Sequence, residues 1–463
     1  MANLLMIVVA LALIYLTWHF QCLFTNYRAA RRSGFPVLVI PFNVVNPVYI
    51  LLGATLRPLF EKIVAPLLNE SISKAVWNEA SSQANALLTS LTDVQSAKGN
   101  VGQTDATMAG IRSIAIKVIG SVIYGTQSSW QEGTTEAPKG YRLTYMDVIL
   151  EVIEKLFIAV FVPTKVLTSP IMPKSIQRVG YAVEEYPRHV QQILESERDT
   201  GHASRKNLLS TLIAASDAES ARNTGASKSR MYLSDKELAG NFFQFTVAGF
   251  DTTANTMAYA VTLLALYPEW QDWIREEINE VMHDKSLEYE AAYPVLKRCL
   301  ALMFEVLRLY TPIAHIPRST ASAQQLPNPS GPAYNVSANT TVYISGACLH
   351  VSSAIWGKDA LGFRPSRWLS PEGDFVEHPR SSFIPWSTGP RLCPGMKMAE
   401  VEFVAVMMSI FRTWKVAPAV LQGETTELAS ERLRKVVADS HPRLTLQMNR
   451  PKDVLLRWTR HEN

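Results

Sequence analysis

A single cysteine in a glycine-bounded loop constrains this chain more than any other feature. Residues 386–395 (WSTGPRLCPG) place Cys393 between Gly389 and Gly395, directly before the apolar run Met396–Phe411. The two glycines let the backbone turn closely around the sulfur, and the apolar run predicts a helix. The chain therefore has to fold so that one thiol lies at the start of a helix.

The chemistry of this loop favours a metal held by one sulfur. A helix N-terminus and the nearby Arg391 both favour the thiolate form of Cys393. The loop has no CxxC motif and no His at ligand spacing, which argues against tetrahedral zinc. The interpretation as a zinc or redox thiol protein therefore has little support. Haem iron, which needs one axial thiolate, fits better. On this loop alone, a buried structural cysteine in a turn is an equally good interpretation.

Composition allows a large fold and does not demand nucleic acid. The chain has 463 residues, of which 47% are hydrophobic, enough for one large core or two ordinary domains. The formal net charge is only +4, so no nucleic-acid partner is expected. Cys22, Cys299, Cys348 and Cys393 lack paired spacing, which favours a reducing compartment over a disulfide framework.

The N-terminus predicts a membrane anchor. Leu4–Phe24 contains no charged side chain and is long enough to cross a bilayer as a tilted helix. Three arginines follow it between residues 28 and 32, so the positive-inside rule places the rest of the chain in the cytosol. A cleaved signal peptide is the alternative, but its basic first region is missing. We therefore divide the chain into an anchor (1–27), an apolar, proline-interrupted linker (28–60) and a main domain (61–463).

The main domain has mostly helical patterns. Helices are predicted over 61–95, 105–124, 148–161 and 181–197. A small, polar stretch at 216–229 predicts an exposed loop, and residues 443–448 and 454–458 predict a terminal hairpin.

A long helix in the middle of the chain carries an unusual polar interruption. A Ser-x-x-Glu motif at 234–237 has the form of a capping box and begins a helix of about thirty residues. Within it, Gly249 costs about 1 kcal/mol against Ala and lets a flat group approach the backbone. The Thr252 hydroxyl can bond the carbonyl one turn back or a water, and Asp251 with Thr252 could relay protons through water. A kinked core helix with a solvated Asp is the alternative.

A possible ion-pair cluster lies between this helix and the cysteine loop. Glu305 and Arg308 have i,i+3 spacing, which puts acid and base on one helix face. Such a pair is common on helix surfaces, where it contributes little. Arg367 follows in a proline-stiffened segment, and the planar fork of an arginine can bind a carboxylate through two bonds.

The Cys393 loop resembles the haem-binding signature of the cytochromes P-450, F-x-x-G-x-R-x-C-x-G. Gly389, Arg391, Cys393 and Gly395 match it, and Trp386 stands where the family usually has Phe. The resemblance implies that Cys393 is the axial ligand of haem iron, that Arg391 binds a haem propionate, and that Trp386 packs against the haem side of the loop.

Three further segments, around residues 248, 305 and 365, resemble elements of the same family and follow one another in the family's order. AGFDTT at 248–253 resembles its A-G-x-D/E-T-T motif, so the resemblance implies that Gly249 borders the haem and that Asp251 and Thr252 deliver protons for oxygen activation. Arg318 stands where the family often has an Arg for a haem propionate.

The remaining match concerns the ion-pair cluster. Glu305, Arg308 and Arg367 resemble the family's E-x-x-R and P-x-R-F/W elements, which form a buried structural triad that braces the cysteine loop. All these motifs occur in the family's order and at family-like intervals.

The resemblance implies a mainly α fold with small β elements and a monooxygenase activity. Haem would be the cofactor, and O2 and a hydrophobic small molecule would be the substrates. Electrons would come from NADPH through a flavoprotein reductase on the same membrane, the endoplasmic reticulum. Similarity to fungal microsomal members suggests a role in secondary metabolism.

One departure from the family lies at the junction of residues 60 and 61. Roughly 80 to 90 residues, with most of a small β domain and a W-x-x-x-R helix that holds a propionate, have no counterpart here. A gene-model error and a truly shortened protein are both open explanations. The second would allow an inactive haem-fold remnant that acts as a membrane-bound binding protein.

Overall fold

The computed structural model describes most of the chain from residue 69 onward. The described residues are 21, 69–97, 103–104, 106–125, 137–199, 207–222, 235–284, 288–328, 331–376, 378, 381–389 and 392–461. From residue 69 onward they fall into two compact units, one formed by residues 315–345 and the other by the rest. Apart from Gln21, the predicted anchor and linker lie outside the described residues, as does the junction at residues 60 and 61.

Helices make up most of the described chain, as predicted. They are α1 (Glu70–Ala97), α2 (Ala106–Tyr124), α3 (Tyr145–Glu154), α4 (Leu156–Phe161), α5 (Thr164–Leu167), α6 (Lys174–Asp199), α7 (Leu208–Arg222), α8 (Asp235–Leu266), α9 (Pro268–Asp284), α10 (Tyr289–Ala292), α11 (Lys297–Leu309), α12 (Gly346–Leu349), α13 (Ser353–Trp356), α14 (Met396–Phe411) and α15 (Thr426–Ala438). Short 3₁₀ turns occupy Tyr293–Val295, Pro365–Trp368 and Pro451–Asp453.

The strands are short and antiparallel. They are β1 (Gln103–Thr104), β2 (His315–Ser319), β3 (Gln324–Leu326), β4 (Tyr334–Val336), β5 (Thr341–Ser345), β6 (Trp414–Pro418), β7 (Ser440–Pro442), β8 (Leu446–Met448) and β9 (Leu456–Arg460). In the larger unit, β9 pairs with both β1 and β6, and β7 pairs with β8. In the smaller unit, β2 pairs with β5 and β3 with β4. The predicted class, mainly α with small β elements, is confirmed.

The core of the larger unit lies between helices that are apolar on nearly every side. Residues Val401–Phe411 of α14 are all buried, and α14 packs against α1 and α11. Helix α8 packs against α2. Twelve of the residues of α2 are buried. Among the described helices, α2 is the one long and apolar enough to cross a membrane. Its burial in the core fits a helix of the protein interior.

Three local predictions were wrong. The single helix expected over 148–161 is divided at Lys155, whose φ of −126° and ψ of 37° are not helical. The loop expected from residue 216 is helical as far as Arg222, and Ser216 is buried. The C-terminal segments do not form one hairpin, because β8 pairs with β7 while β9 joins β1 and β6. In the third case the long-range strand pairing outweighs the local pattern.

Candidate functional site

The loop that carries Cys393 is held in shape by its own backbone. The Cys393 N–H donates to the Trp386 carbonyl at 2.9 Å, and the Leu392 N–H donates to the Gly389 carbonyl at 3.0 Å. Gly389 has a φ of 72°, a left-handed conformation that glycine adopts without steric cost. Helix α14 begins at Met396. The thiol therefore lies in a tight loop at the start of a buried helix.

The Cys393 thiol is half-buried, and this changes its acidity. Burial raises its pKa, and a hydrogen bond from the Gly395 backbone only partly opposes that effect. Desolvation disfavours the charged form of any acid. The prediction that the loop favours the thiolate rests on the helix N-terminus and on Arg391, which lies outside the described residues, so it stays a prediction. A bound metal ion would add positive charge that stabilises the thiolate.

The residues present fit one axial thiolate better than a centre with several protein ligands. A side chain at position 395 would begin 4.0 Å from the Cys393 Sγ atom, so Gly395 keeps one side of the sulfur clear. In the described part of the chain, no group of three or more His, Cys, Asp or Glu side chains could hold a metal ion. This donor set suits the axial position of haem iron.

Trp386 joins the loop to the helix behind it. Its ring lies 5.6 Å from that of Phe304 on α11 and 6.0 Å from that of Phe383, both in edge-to-face contact. Aromatic pairs at this geometry stabilise beyond the area they bury. Trp386 therefore fixes the start of the loop against α11, and its predicted contact with haem stays a prediction.

Helix α8 has one open face among buried ones. Ala248 is exposed, and Gly249, Thr252 and Asn255 are half-buried, which places an accessible stripe at helical spacing. A Cβ at position 249 would lie 2.6 Å from the Cδ1 atom of Ile119 on α2. The close approach that Gly249 permits is therefore made by Ile119, and its predicted contact with haem also stays a prediction.

Asp251 is buried and belongs to a small polar network that reaches the open stripe at Asn255. Its Oδ2 atom accepts a hydrogen bond of 2.6 Å from the Thr445 hydroxyl, which in turn accepts one of 2.9 Å from the Asn255 amide. Burial raises the pKa of Asp251, while Thr445 and the charge of Arg112 lower it by smaller amounts. Asp251 is therefore poised to carry a proton more readily than a solvated Asp, and the alternative of a solvated side chain is wrong.

The Thr252 hydroxyl makes one of the two hydrogen bonds that the sequence predicted. Its hydroxyl donates to the Ala248 carbonyl one turn back at 2.7 Å. This leaves the hydroxyl oxygen able to accept a second hydrogen bond on the half-buried face. Asp251 and Thr252 are adjacent in the chain, and the first is buried while the second is half-buried.

Glu305, Arg308 and Arg367 meet in one buried cluster. Arg308 donates to the two carboxylate oxygens of Glu305 through Nε and Nη2, each at 2.8 Å. The Arg367 Nε donates to the same carboxylate at 3.0 Å. Arg308 and Glu305 are fully buried, so the surface-pair alternative is wrong. The arrangement has the bidentate geometry that makes an arginine pair strong.

Further donors complete this cluster. The Trp368 indole N–H donates to Glu305 at 3.1 Å, and the Arg364 backbone N–H donates at 2.8 Å. Arg308 also donates to the carbonyls of His350 and Gly362. A buried charge of this kind is tolerated only when its hydrogen bonds are made. The cluster therefore fixes the segment around residue 365 to α11.

Two predicted haem-binding arginines are not tested by the geometry of this site. Arg391 lies outside the described residues. Arg318 lies on β2 in the smaller unit, where its guanidinium donates to the Pro317 carbonyl at 3.0 Å. Their predicted contacts with haem propionates stay predictions.

Sequence reasoning missed three residues around the site. Thr445 binds Asp251 across 194 positions of sequence, and Trp368 binds Glu305. Ser387 has a φ of 68°, which is uncommon outside glycine. Only Trp368 had a local signal, because it follows the predicted Arg367 directly. Thr445 has no such signal, and Ser387 lies in the cysteine loop without any sign in the sequence of its positive φ.

A sequence model of the cytochrome P-450 family matches residues 63–442, which is most of the chain. The chain belongs to the cytochrome P-450 family. This confirms the resemblance carried by the Cys393 loop, the AGFDTT segment and the Glu305 cluster. As in the family generally, the cofactor is a haem bound through a thiolate, and the chain needs O2, a small-molecule substrate and a redox partner.

The similar proteins include fungal cytochrome P-450 monooxygenases. The phomenoic acid biosynthesis cluster monooxygenase of Leptosphaeria maculans is 28% identical over 80% of this chain and 68% of its own length. Monooxygenase 124 of Postia placenta is 31% identical over 83% of this chain and 71% of its own length. The monooxygenase prx9 of Penicillium rubens is 24% identical over 77% and 65%. The chain is therefore an oxidoreductase with a monooxygenase role.

Proposed function

We propose that this P-450 inserts one oxygen atom from O2 into a hydrophobic small molecule of secondary metabolism. The observation that carries the proposal is the Cys393 thiol, which its own loop presents at the start of a buried helix. The name of the Leptosphaeria maculans relative, which places that protein in a biosynthesis cluster, supports the metabolic role.

The haem would be held by residues around the cysteine loop. Cys393 would bind the iron, Gly249 and Trp386 would border the macrocycle, and Arg391 and Arg318 would bind propionates. Haem with a thiolate ligand supplies O–O bond cleavage and oxygen insertion. The protein's part is to bind substrate, orient it, limit water and move protons.

Asp251 and Thr252 would move those protons. Burial makes the Asp251 carboxyl hold a proton more readily than a solvated Asp, and its side chain lies one residue from the accessible Thr252 hydroxyl. A carboxyl that rotates away from Thr445 can pass its proton through water toward Thr252. The Thr252 hydroxyl would give up its own hydrogen to the accepting oxygen as it takes the incoming one from water, so it stays neutral.

Electrons would reach the haem from NADPH through a flavoprotein reductase. Residues 1–27 would anchor the protein, in a single pass, in the endoplasmic reticulum with its catalytic domain in the cytosol. The apolar Leu4–Phe24 segment and the arginines after it support this arrangement.

The first test is the carbon monoxide difference spectrum of the reduced, full-length protein. We expect a band at about 450 nm that the variant Cys393→Ala abolishes. Cys348→Ala is the matched control, because Cys348 is an exposed cysteine of the same unit, and it should keep the band. A band at about 420 nm, or none, in the unaltered protein would overturn the proposal and favour the inactive remnant.

The second test asks for turnover. The protein is reconstituted with a NADPH-dependent reductase and incubated with terpenoid, polyketide and fatty-acid extracts under isotopically labelled O2. A product that carries one labelled oxygen supports the proposal. A protein that shows the spectral band and binds ligands, yet transfers no label to any of them, would instead be a binding protein.

A further inference from the structure

His350 lies between the Glu305 cluster and the cysteine loop. It follows α12 directly, is fully buried, and packs its ring 5.2 Å from that of Phe383. Phe383 is three residues before Trp386, whose carbonyl accepts the Cys393 N–H. The side chain therefore fills the space behind the segment that leads into the loop.

Two atoms of His350 accept hydrogen bonds, one from the ion pair and one from the segment that leads into the loop. Its backbone carbonyl accepts from the Arg308 Nη1 atom at 2.9 Å. Its ring Nε2 atom accepts from the backbone N–H of Ile384 at 2.9 Å. The Ile384 carbonyl accepts in turn from the Ser387 N–H at 3.0 Å. These bonds form a continuous path from the buried ion pair to the loop.

The second of these bonds requires one particular form of the ring. An imidazole nitrogen accepts only when it is unprotonated, so His350 is neutral with its proton on Nδ1. Burial lowers the pKa of His350 to about 4, and the Leu307 backbone nearby opposes this only in part. Among the described residues, none accepts a hydrogen bond from Nδ1. The Ile384 N–H is buried with the ring and would otherwise lack an acceptor, which a folded chain rarely tolerates.

We propose that His350 is a positioning residue for the Cys393 loop, which it fixes to the Glu305–Arg308 pair by accepting the Ile384 N–H. Among the described residues, no hydrogen bond joins the Glu305–Arg308 pair directly to the loop that it is expected to brace. His350 supplies the connection. The proposal rests on the proposed function only for the role of Cys393; the connection itself belongs to the protein chain.

Two substitutions separate the hydrogen bond from the bulk of the ring. In His350→Gln, the Oε1 atom lies the same number of bonds from the backbone as Nε2 and can accept the Ile384 N–H. His350→Leu fills similar space without an acceptor. His378→Leu is the matched control, because His378 packs on Trp356 and Trp368 in the neighbouring aromatic cluster.

Amide hydrogen exchange of the full chain, without added haem, gives a readout independent of activity. We expect His350→Leu to speed exchange in residues 381–395 by about tenfold or more, and His350→Gln and His378→Leu to stay within about threefold of the unaltered protein. If His350→Leu does not fold, the Gln variant decides alone. Equal exchange in the Leu variant and the unaltered protein, or tenfold faster exchange in the Gln variant, overturns the proposal.

The carbon monoxide spectrum gives a second readout. His350→Leu should convert most of the band at about 450 nm to about 420 nm, and His350→Gln should restore it. If the unaltered protein never shows the band at about 450 nm, the proposed function is wrong. An exchange difference between the variants of that protein would still support the positioning role of His350. A normal spectrum in the Leu variant would show that the connection does not reach the sulfur.

Discussion

Glu305 and Asp251 are both buried acids of the larger unit, but the groups around them differ. Glu305 accepts hydrogen bonds from two guanidinium groups, an indole N–H and a backbone N–H. Asp251 accepts from the neutral hydroxyl of Thr445, and the nearest charge that favours its ionised form, that of Arg112, only partly offsets the cost of burial.

The difference shows that donors, and not burial, decide what a buried acid can do. A carboxylate compensated by two cations is fixed in charge and position, so it serves the structure. A carboxyl with one neutral donor changes protonation at little cost, which a proton relay requires. Replacing a carboxylate by the isosteric amide therefore tests each acid in the same way, and the responses should differ in size and sign.

The largest effect is expected for Glu305→Gln. The amide cannot neutralise Arg308 and Arg367, and its NH2 group would face donors. Leaving buried charges unpaired costs about 3–5 kcal/mol of the free energy of unfolding, measured by urea denaturation of the full chain. Glu431→Gln, which alters an exposed pair with Lys435, should leave the urea midpoint unchanged. A loss below about 1 kcal/mol in Glu305→Gln would show that the cluster is not held by charge.

The sequence predicted the Glu305 cluster well and the Asp251 network only in part. Glu305 and Arg308 are one helical turn apart, so local geometry alone brings them together. Arg367 was recognisable from its proline-stiffened segment. The long helix α8 was also predictable, because it begins at a capping motif and ends just before Pro268.

What the sequence could not show are contacts that the tertiary fold creates. Thr445 lies 194 positions from Asp251, and nothing in its neighbourhood indicates that it meets α8. The bond from Ile384 to His350 spans 34 positions and depends on a ring tautomer. Burial raises the pKa of Cys393 and is likewise a property of the packed molecule that the local sequence does not show.

A second amide substitution, Glu402→Gln, should stabilise the protein at high pH. Glu402 is buried on α14, and none of the described residues donates a hydrogen bond to its Oε1 atom. Burial raises its pKa from 4.5 to about 8. Between these values the unfolded chain has lost the proton that the folded protein keeps, so stability falls as the pH rises.

The amide removes this dependence. Glu402→Gln should match the unaltered protein at about pH 5 and exceed it by up to about 4 kcal/mol at about pH 8, by urea denaturation across that range. The exposed variant Glu431→Gln should show no such trend. A constant difference at every pH would mean that Glu402 is ionised in the folded state, and hence that a cation compensates it as in the Glu305 cluster.

A smaller effect is expected for Thr445→Val, which removes the hydroxyl from the Asp251 network. Asp251 loses its donor and Asn255 loses its acceptor, at a cost of about 1–2 kcal/mol. Because the Thr445 bond lowers the pKa of Asp251, that pKa should rise further. Thr445→Ser keeps the hydroxyl and should recover most of the loss in thermal unfolding. A Val variant as stable as the unaltered protein would show that the hydroxyl contributes nothing to stability.

The smallest effect on stability is expected for Asp251→Asn. Burial already raises the pKa of this carboxyl, and the amide oxygen can still accept the Thr445 hydrogen bond. The variant should lie within about 1 kcal/mol of the unaltered protein. Because the unfolded chain loses its proton at lower pH than the folded protein does, the stability of the unaltered protein declines as the pH rises above the ordinary Asp range, and the Asn variant should gain on it there.

The effect of the same substitution on turnover should be large. An amide cannot release a proton, so the yield of oxygenated product per NADPH consumed should fall about tenfold or more while the carbon monoxide spectrum is kept. Asn255→Asp, on the same face as Thr252, tests whether any carboxyl nearby suffices. If Asp251→Asn instead destabilised the protein as much as Glu305→Gln, with product yield per NADPH unchanged, Asp251 would be a structural ion like Glu305, and the difference between the two regions would disappear.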